Sequence, residues 1–494
     1  MIFAALLRLL WLSDVPGGLH IDEAVIGYDA YSILHTGKDH TGAFLPVFAR
    51  SLGDYDEGLY RYLTIPFVYL GGLTVWATRL PSALAGIVTV VVVFFLARQF
   101  FDDRVALVAA LFLAISPWHV LTSRWAVRAI LLPLFFCLGL LFFLKGVRHS
   151  RGFVLSSLFF GICLHTYSSA RVFVLLFLIG LVFIYRRDLL ANKRQLVTSG
   201  LLFIAVLIPT FLFWISPEGM IRARSTLILN LFDNVYNYAT YFSPSFLFFN
   251  GDPNIRHSIA EMGVLHYFEA VTLPIGCWQL WRRQGENCGV LWLYLILYPL
   301  PAALTEPSHL LRAFSGAPLF AMLSASGAVR LWDAIGNLKW AMFGRVASLM
   351  VVCVGVALFA KFYYWDYPKY SFGQWHQGVK EAIDFAVNTQ FRCIIFSYKL
   401  YPDIYTLFFT AYPPDQYHAL SQDTKRHFLP YKEKTFHFGR VGDLILDDPE
   451  SCLLILEAAE IPELNKKGYT RRVLHQVDDP RGDRRMVVVE VDNR

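Results

Sequence analysis

Apolar runs of about 20 residues, the length of a helix that crosses a bilayer, recur along this chain until about Tyr364, where charged and polar residues return. A water-soluble fold cannot bury so many of them. Of 494 residues, 56% are hydrophobic and 17% charged, and the apolar share is gathered into those runs. The expected fold is therefore an all-α polytopic membrane protein followed by a small α/β domain. Spans are expected near 79–99, 104–121, 126–145, 152–168, 170–186, 196–215, 264–281, 288–304, 312–332 and 342–363. With the first apolar segment this makes about eleven transmembrane helices. The membrane part is expected to cover 1–364, with a first outer loop at 13–78 and a large outer loop at 217–263. Met1 to Leu12 is only about half a span and lacks the small-residue cleavage site of a signal peptide. Either the true start lies upstream or the first helix is shortened.

The remaining stretch, 365–494, reads as a soluble domain. Gln374 to Val387 has a helical pattern, while Cys393 to Ser397, Leu453 to Glu457 and Arg485 to Val491 read as buried strands. Continuous apolar strands interleaved with helices indicate a small α/β fold. No motif of chemistry lies in it. Seven cysteines form no CxxC pair and no metal spacing. Cys137, Cys163, Cys277 and Cys353 lie in apolar runs and read as packing residues. Cys393 and Cys452 fall in expected strands, where a disulfide is one option that the sequence leaves undecided.

The formal charge of +6 would point to nucleic acid in a soluble protein. Here much of it sits in short loops, where Lys and Arg report orientation, so nucleic acid is not an expected partner. Alternate loops carry Arg98 and Arg104; Lys145, Arg148 and Arg151; Arg186, Arg187, Lys193 and Arg194; Arg282 and Arg283; and Arg330, Lys339 and Arg345. These face the cytoplasm. The opposite loops and the C-terminal domain then lie outside an inner, plasma membrane.

Directly after the first apolar segment comes Leu19-His20-Ile21-Asp22-Glu23-Ala24, with two adjacent carboxylates at an expected membrane surface. Charge there is costly unless it meets water, a partner or a substrate, which marks Asp22 and Glu23 as the first functional candidates. A plainer account is that Asp22 caps a helix from Ala24 to His35, with Glu23 favoured in its first turn. The two accounts are compatible. Several outward loops hold arginines against the charge rule: Arg124, Arg128, Arg171, Arg222, Arg224, Arg256 and Arg312. Some would snorkel to headgroups; others would converge on an anion, and arginine matches phosphate oxygens best. Tyr28, Tyr31, Tyr55, Tyr167, Tyr238 and Tyr241 would line a lipid groove or form an interfacial belt. His119 and His165 read as structural histidines. No Gly-rich nucleotide loop is present.

These residues resemble the GT-C superfamily of bacterial membrane glycosyltransferases, related to dolichyl-phosphate-mannose protein mannosyltransferases and to lipid A aminoarabinose transferases. The matching stretches are Asp22-Glu23-Ala24 with Gly27-Tyr28-Asp29-Ala30; Arg79-Leu80-Pro81-Ser82-Ala83; Ile115-Ser116-Pro117-Trp118-His119 with Ser123-Arg124; and Thr166-Tyr167-Ser168-Ser169-Ala170-Arg171. Phe242-Ser243-Pro244, Gly251-Asp252-Pro253-Asn254 with Arg256-His257, and His309-Leu310-Leu311-Arg312-Ala313 follow in order.

The resemblance implies transfer of a sugar from a polyprenyl-phosphate carrier to a protein or glycolipid acceptor outside the membrane, generally with inversion. It also implies that the acidic residue matching Asp22 is the catalytic base. Displacement at a sugar carbon needs that base and a partner for the departing phosphate. Arg312 with His309, Arg256 with His257, Arg171, Arg124 and Arg128 are the phosphate candidates in that order. Tyr28, Asp54, Tyr55, Arg61 and Tyr167 are the candidates for sugar or acceptor contact. One departure stands out: relatives carry a basic residue and prolines before Leu59-Tyr60-Arg61-Tyr62, and this chain has Asp54-Tyr55-Asp56-Glu57-Gly58. Arg61 would then supply the missing charge. No cofactor is certain from the sequence; a divalent cation held by Asp54, Asp56 and Glu57 is the candidate. The rival reading is a transporter or flippase of lipid-linked sugars. It is disfavoured because the ionisable residues gather at one surface and no internal repeat is visible.

Overall fold

The computed structural model describes residues 1–494 except 52, 221–226, 229, 440–451, 467–469, 493 and 494. Arg222 and Arg224 thus lie outside the described residues. The chain is mostly helical and divides into two compact units. The first comprises Met1–Leu10, Val47–Tyr60 and Pro81–Trp365; the second comprises Trp11–Pro46, Arg61–Leu80 and Asp366–Arg494.

The chain starts with α1 (Ile2–Leu9), α2 (Ile21–Thr36), the antiparallel hairpin β1 (Phe48–Ser51) and β2 (Asp54–Glu57), then α3 (Leu59–Gly71) and α4 (Val75–Ala97). Among the described residues, four helical stretches are long and apolar enough to cross a membrane: Val75–Ala97, Arg128–Arg148, Lys193–Trp214 and Ala341–Trp375. Gly152–Cys163 and Ala170–Ile184 are shorter apolar helices.

Several expected spans are broken, each for a local reason. The run at 104–121 splits into Asp103–Ile115 and Pro117–Thr122, because Pro117 has no N–H for a continuing helix and Ser116 turns to cap the next one. The run at 288–304 ends at Leu297, and Pro299 precedes a separate turn at Leu300–Ala303. The hairpin β1–β2 was legible only as polar loop.

Among the described residues the first unit holds helices, that hairpin and irregular stretches such as 250–268. Its best-packed pairs follow small residues: Gly276 and Gly327 let Glu269–Arg282 and Ala317–Gly336 approach so closely that a Cβ at Gly327 would lie 1.8 Å from the carbonyl of Thr272.

In the second unit a mixed six-stranded sheet runs in the order β4 (Phe428–Tyr431), β5 (Lys434–Gly439), β3 (Cys393–Ser397), β6 (Cys452–Glu457), β8 (Arg484–Asp492), β7 (Thr470–Asp478). The central β5, β3 and β6 are parallel and the outer strands antiparallel. Alternation along β3 and β6 sends Ile394, Phe396, Leu453 and Ile455 to one face and Ile395, Leu454 and Leu456 to the other. The core on the first face also takes in Leu19, Ile21, Ala24, Val25 and Tyr28, at and within α2, which packs on the helices Pro402–Phe409 and Pro414–Ala419. Burial of such aliphatic side chains contributes about 1.5–3 kcal/mol each. Cys393 and Cys452 are register partners on adjacent strands and form a disulfide.

Candidate functional site

The second unit holds the start of α2. Its N-cap is His20, two residues ahead of the expected Asp22: the Asp22 N–H donates to His20 Nδ1 at 3.2 Å, and the His20 N–H donates to Glu23 Oε2 at 3.0 Å. Asp22 is thereby the second residue of the helix and not its cap. Its side chain is 42% exposed, with Oδ2 3.4 Å from His20 Nδ1.

Glu23, one residue on, is fully buried and held by both arms of Arg79, with Nε to Oε1 and Nη2 to Oε2 each at 2.8 Å. The remaining Arg79 donors reach the carbonyls of Leu12, Ser13, Pro16 and Gly18. One guanidinium thus ties the loop before α2 to the carboxylate within it. The exposed carboxylate is left on a rigid mount.

A second buried group stands further along α2. Asp29 takes Arg61 Nε at 2.6 Å and His40 Nδ1 at 2.6 Å. Burial opposes ionisation of Asp29, yet the His40 and Arg61 charges outweigh it and hold the carboxyl down to about 2. Burial likewise opposes protonation of His40, and Asp29 overcomes it, raising the imidazole pKa. Arg61, expected to reach a sugar or phosphate, is 1% exposed and serves this triad. Tyr28 is likewise corrected: fully buried, it donates its hydroxyl to the carbonyl of Tyr412 inside the sheet unit's core.

The first unit gathers the other candidates into two groups. Arg128 donates to Asp56 Oδ2 at 2.5 Å and to Glu57 Oε2 at 2.9 Å, and Arg171 donates to Glu57 Oε1 at 2.8 Å. Tyr167 stacks beneath the Arg128 guanidinium, 5.7 Å away. Two cations face two anions, so the cluster is neutral. The expectation that Asp54, Asp56 and Glu57 hold a divalent cation is corrected here. Both oxygens of Glu57 and Oδ2 of Asp56 accept from guanidinium groups, and Asp54 accepts the Tyr55 N–H at 2.8 Å. Tyr55 lies half-buried near Phe213.

Arg124 belongs to neither group. It is fully buried, with Nη1 on the Leu7 carbonyl and Nη2 on the Leu10 carbonyl, closing the C-terminal end of α1. A phosphate role for it does not fit that geometry.

The second group is centred on Asp252. An Asx turn formed by the Asn254 N–H on Oδ1 fixes the aspartate, while Oδ2 accepts the Leu310 N–H at 2.8 Å. His257 Nδ1 lies 3.0 Å and His309 Nδ1 3.8 Å from that same oxygen. Burial opposes ionisation of Asp252, but the His257 hydrogen bond and the two histidines hold its carboxyl below the usual range. Burial and the neighbouring His257 push His309 down to about 3. Glu306 bridges outward, 3.4 Å from His309 Nε2 and 3.0 Å from Arg312 Nη1. Arg256 stands half-buried in the same turn.

Among the described residues, Asp252, His257 and His309 form the one group whose ligating atoms all lie within 4.8 Å of one another. A His, His, Asp donor set suits a zinc-class ion. Sequence reasoning named His257 and His309 for phosphate and passed over Asp252 and Glu306. The available signal was Asp252 five residues before His257 in a tight turn.

Residues 59–214 match a family model described as dolichyl-phosphate-mannose-protein mannosyltransferase. No curated protein matches the chain. Among solved structures, it is similar to ArnT from Cupriavidus metallidurans bound to undecaprenyl phosphate, at 14% identity and a TM-score of 0.57 over 99% of this chain and 97% of that one. The apo state of the same protein gives 0.59 at 14% identity over the same shares. The oligosaccharyltransferase AglB from Archaeoglobus fulgidus, in complex with an inhibitory peptide and a dolichol-phosphate, gives 0.52 at 13% identity over 82% of this chain and 62% of that one. Likeness at such identities is a likeness of fold. The family segment thus covers residues 59–214, and the likeness of fold to these two proteins extends over most of the chain.

Proposed function

We propose that the protein moves a sugar from a polyprenyl-phosphate carrier to a hydroxyl-bearing protein or glycolipid acceptor at the outer face of the plasma membrane, with inversion and with Asp22 as general base. The observation that carries this reading is the pairing at the start of α2: Glu23 is buried and neutralised by Arg79, while Asp22 beside it is 42% exposed on a capped helix end. Glu23 takes a positioning part. General base catalysis contributes about 10²–10⁴-fold, so stabilisation of the departing phosphate must contribute much of the rest. Arg312 and Arg256 are assigned to it, since Arg124 and Arg61 are committed elsewhere. Asp252, His257 and His309 would hold a divalent cation, whose positive charge stabilises phosphate oxygens when bound.

The placement draws on three supports. Lys and Arg concentrate in alternate loops, and four helices have the length and composition of spans. The Cys393–Cys452 disulfide supports placing the 365–494 part in an oxidising compartment, since such bonds are rare in the cytoplasm. About eleven spans in 1–364 and an external part at 365–494 complete the proposal. Purified protein given a polyprenyl-phosphate sugar and a cell-envelope extract should release polyprenyl phosphate and form a product of opposite anomeric configuration by NMR. Donor left intact under conditions where it binds would favour the flippase reading.

A further inference from the structure

We propose that the sheet unit carries a sugar-binding subsite at the carboxyl ends of β3 and β6, which holds one neutral monosaccharide unit of the acceptor. Its place follows from strand order. The chain leaves β3 for β4 and β5 on one side and leaves β6 for β7 and β8 on the other, although β3 and β6 are adjacent and parallel. Where connections diverge in this way, an open α/β sheet leaves the crevice in which ligands bind.

A cleft of about 190 Å³ stands there, room for about six waters or one pyranose ring. Lys399 follows β3, Glu457 ends β6, and Met486, the register partner of Glu457, stands with Arg485 at the start of β8. His376 and Gln377 complete the polar lining.

Both signs of charge surround the cleft. Lys399 Nζ lies 3.8 Å from Oε1 of the buried Glu460. Arg485 gives Nε and Nη2 to Asp479 Oδ2 at 3.0 and 2.8 Å, and its Nη1 has no hydrogen bond among the described residues. Glu457 stands between these donors as an acceptor. A phosphate would meet Glu457, Glu460 and Asp479, whereas a cation would meet Lys399 and Arg485. Neutral hydroxyls suit both, because each donates one hydrogen and offers lone pairs. Tyr401, beside the lining residue Leu400, stacks on His376 with ring centres 5.9 Å apart and stays 45% exposed. Its ring offers an apolar face to the C–H side of a sugar.

The lining also packs on the segment just ahead of Asp22. A Cβ at Gly17 would stand 2.4 Å from Gln377 Oε1, and one at Gly18 would stand 2.9 Å from Gln377 Cα. Tyr405 donates its hydroxyl to the Leu19 carbonyl at 2.8 Å and lies 2.7 Å from His376 Nδ1. A glycan with one unit in the cleft is thus held by the compact unit that carries Asp22. The acceptor role rests on the transferase reading; sugar binding does not.

Saturation-transfer NMR of the full chain in nanodiscs tests the binding, with the methyl glycosides of mannose, glucose, galactose and N-acetylglucosamine as probes and inorganic phosphate as the charged control. At least one glycoside should bind. Lys399→Met and Glu457→Gln, the latter able to keep the bond from the Glu460 N–H, should each weaken it about tenfold, the loss of one hydrogen bond to a charged group, at an unchanged unfolding temperature. Binding of none of the four, binding unchanged in both variants, or binding of phosphate alone overturns the subsite. With cell-envelope extract as acceptor, Lys399→Met should need about tenfold more extract for half-maximal transfer, with the donor KM unmoved. An unchanged requirement overturns the acceptor role. Glycoside binding by a wild type that transfers no sugar contradicts the transferase reading and supports the cleft alone.

Discussion

Neighbouring carboxylates acquire opposite roles here from what lies opposite them. Asp22 and Glu23 are adjacent in sequence, and the sequence marked both. Arg79, 56 residues away, decides which is structural. Removing Arg79 leaves a buried charge without its partner, so Arg79→Ala should cost about 3–5 kcal/mol, read as a lower unfolding temperature, with Glu23→Gln/Arg79→Met recovering part of it. Asp29 and His40 give the same unit a pH dependence of known sign. Asp29 is depressed to about 2 from 3.8, so its contribution, about 2 kcal/mol, is present above pH 4 and lost between about 4 and 2. His40 is raised, so its share is present at low pH and fades as pH rises through its folded value. Thermal unfolding against pH should therefore be flatter below pH 4 in Asp29→Asn than in the wild type. At the other cluster, Arg312→Ala should weaken donor binding more than Arg312→Lys does; equal effects would argue against a charge role. The arginines were legible as anomalies of topology, but their partners were not, because Arg128 meets Glu57 across 71 positions and hydrophobic periodicity says nothing about such pairs.

Elements were legible where one physical rule dominates. Val75–Ala97 and Lys193–Trp214 each contain a long apolar run, and the strand Cys393–Ser397 stands where its run of apolar residues placed it. The misses lie where a local exception wins: prolines at 117 and 299 end helices that hydropathy alone would continue. The edge strands β4 and β7, and β5 beside β4, mix polar with apolar residues and gave no run to detect. The docking of α2 depends on Gly27, where a Cβ would lie 2.5 Å from Phe408 and 2.7 Å from Thr78. Gly27→Leu should cost at least about 1–3 kcal/mol by overpacking, measured as earlier proteolysis of the 366–494 segment. The disulfide closes a loop of 59 residues, which by chain entropy contributes about 4 kcal/mol. Cys393→Ser/Cys452→Ser should lower the unfolding temperature, and the wild-type thiols should resist alkylation in intact cells before reduction.

At the scale of the whole molecule, a chain order that runs membrane part first and sheet last hides a different packing order. Residues 11–46 and 61–80 share a compact unit with 366–494, and the helix that carries Asp22 is built into the core of the sheet. Packing against the helices Pro402–Phe409 and Pro414–Ala419, far along the chain, buries one face of α2. The most direct test of the account is single-turnover transfer from a polyprenyl-phosphate sugar by wild type and Asp22→Asn, with donor binding measured on the same samples. The account expects Asp22→Asn to bind donor as the wild type does and to transfer at least about 10²-fold more slowly; transfer at the wild-type rate would contradict it.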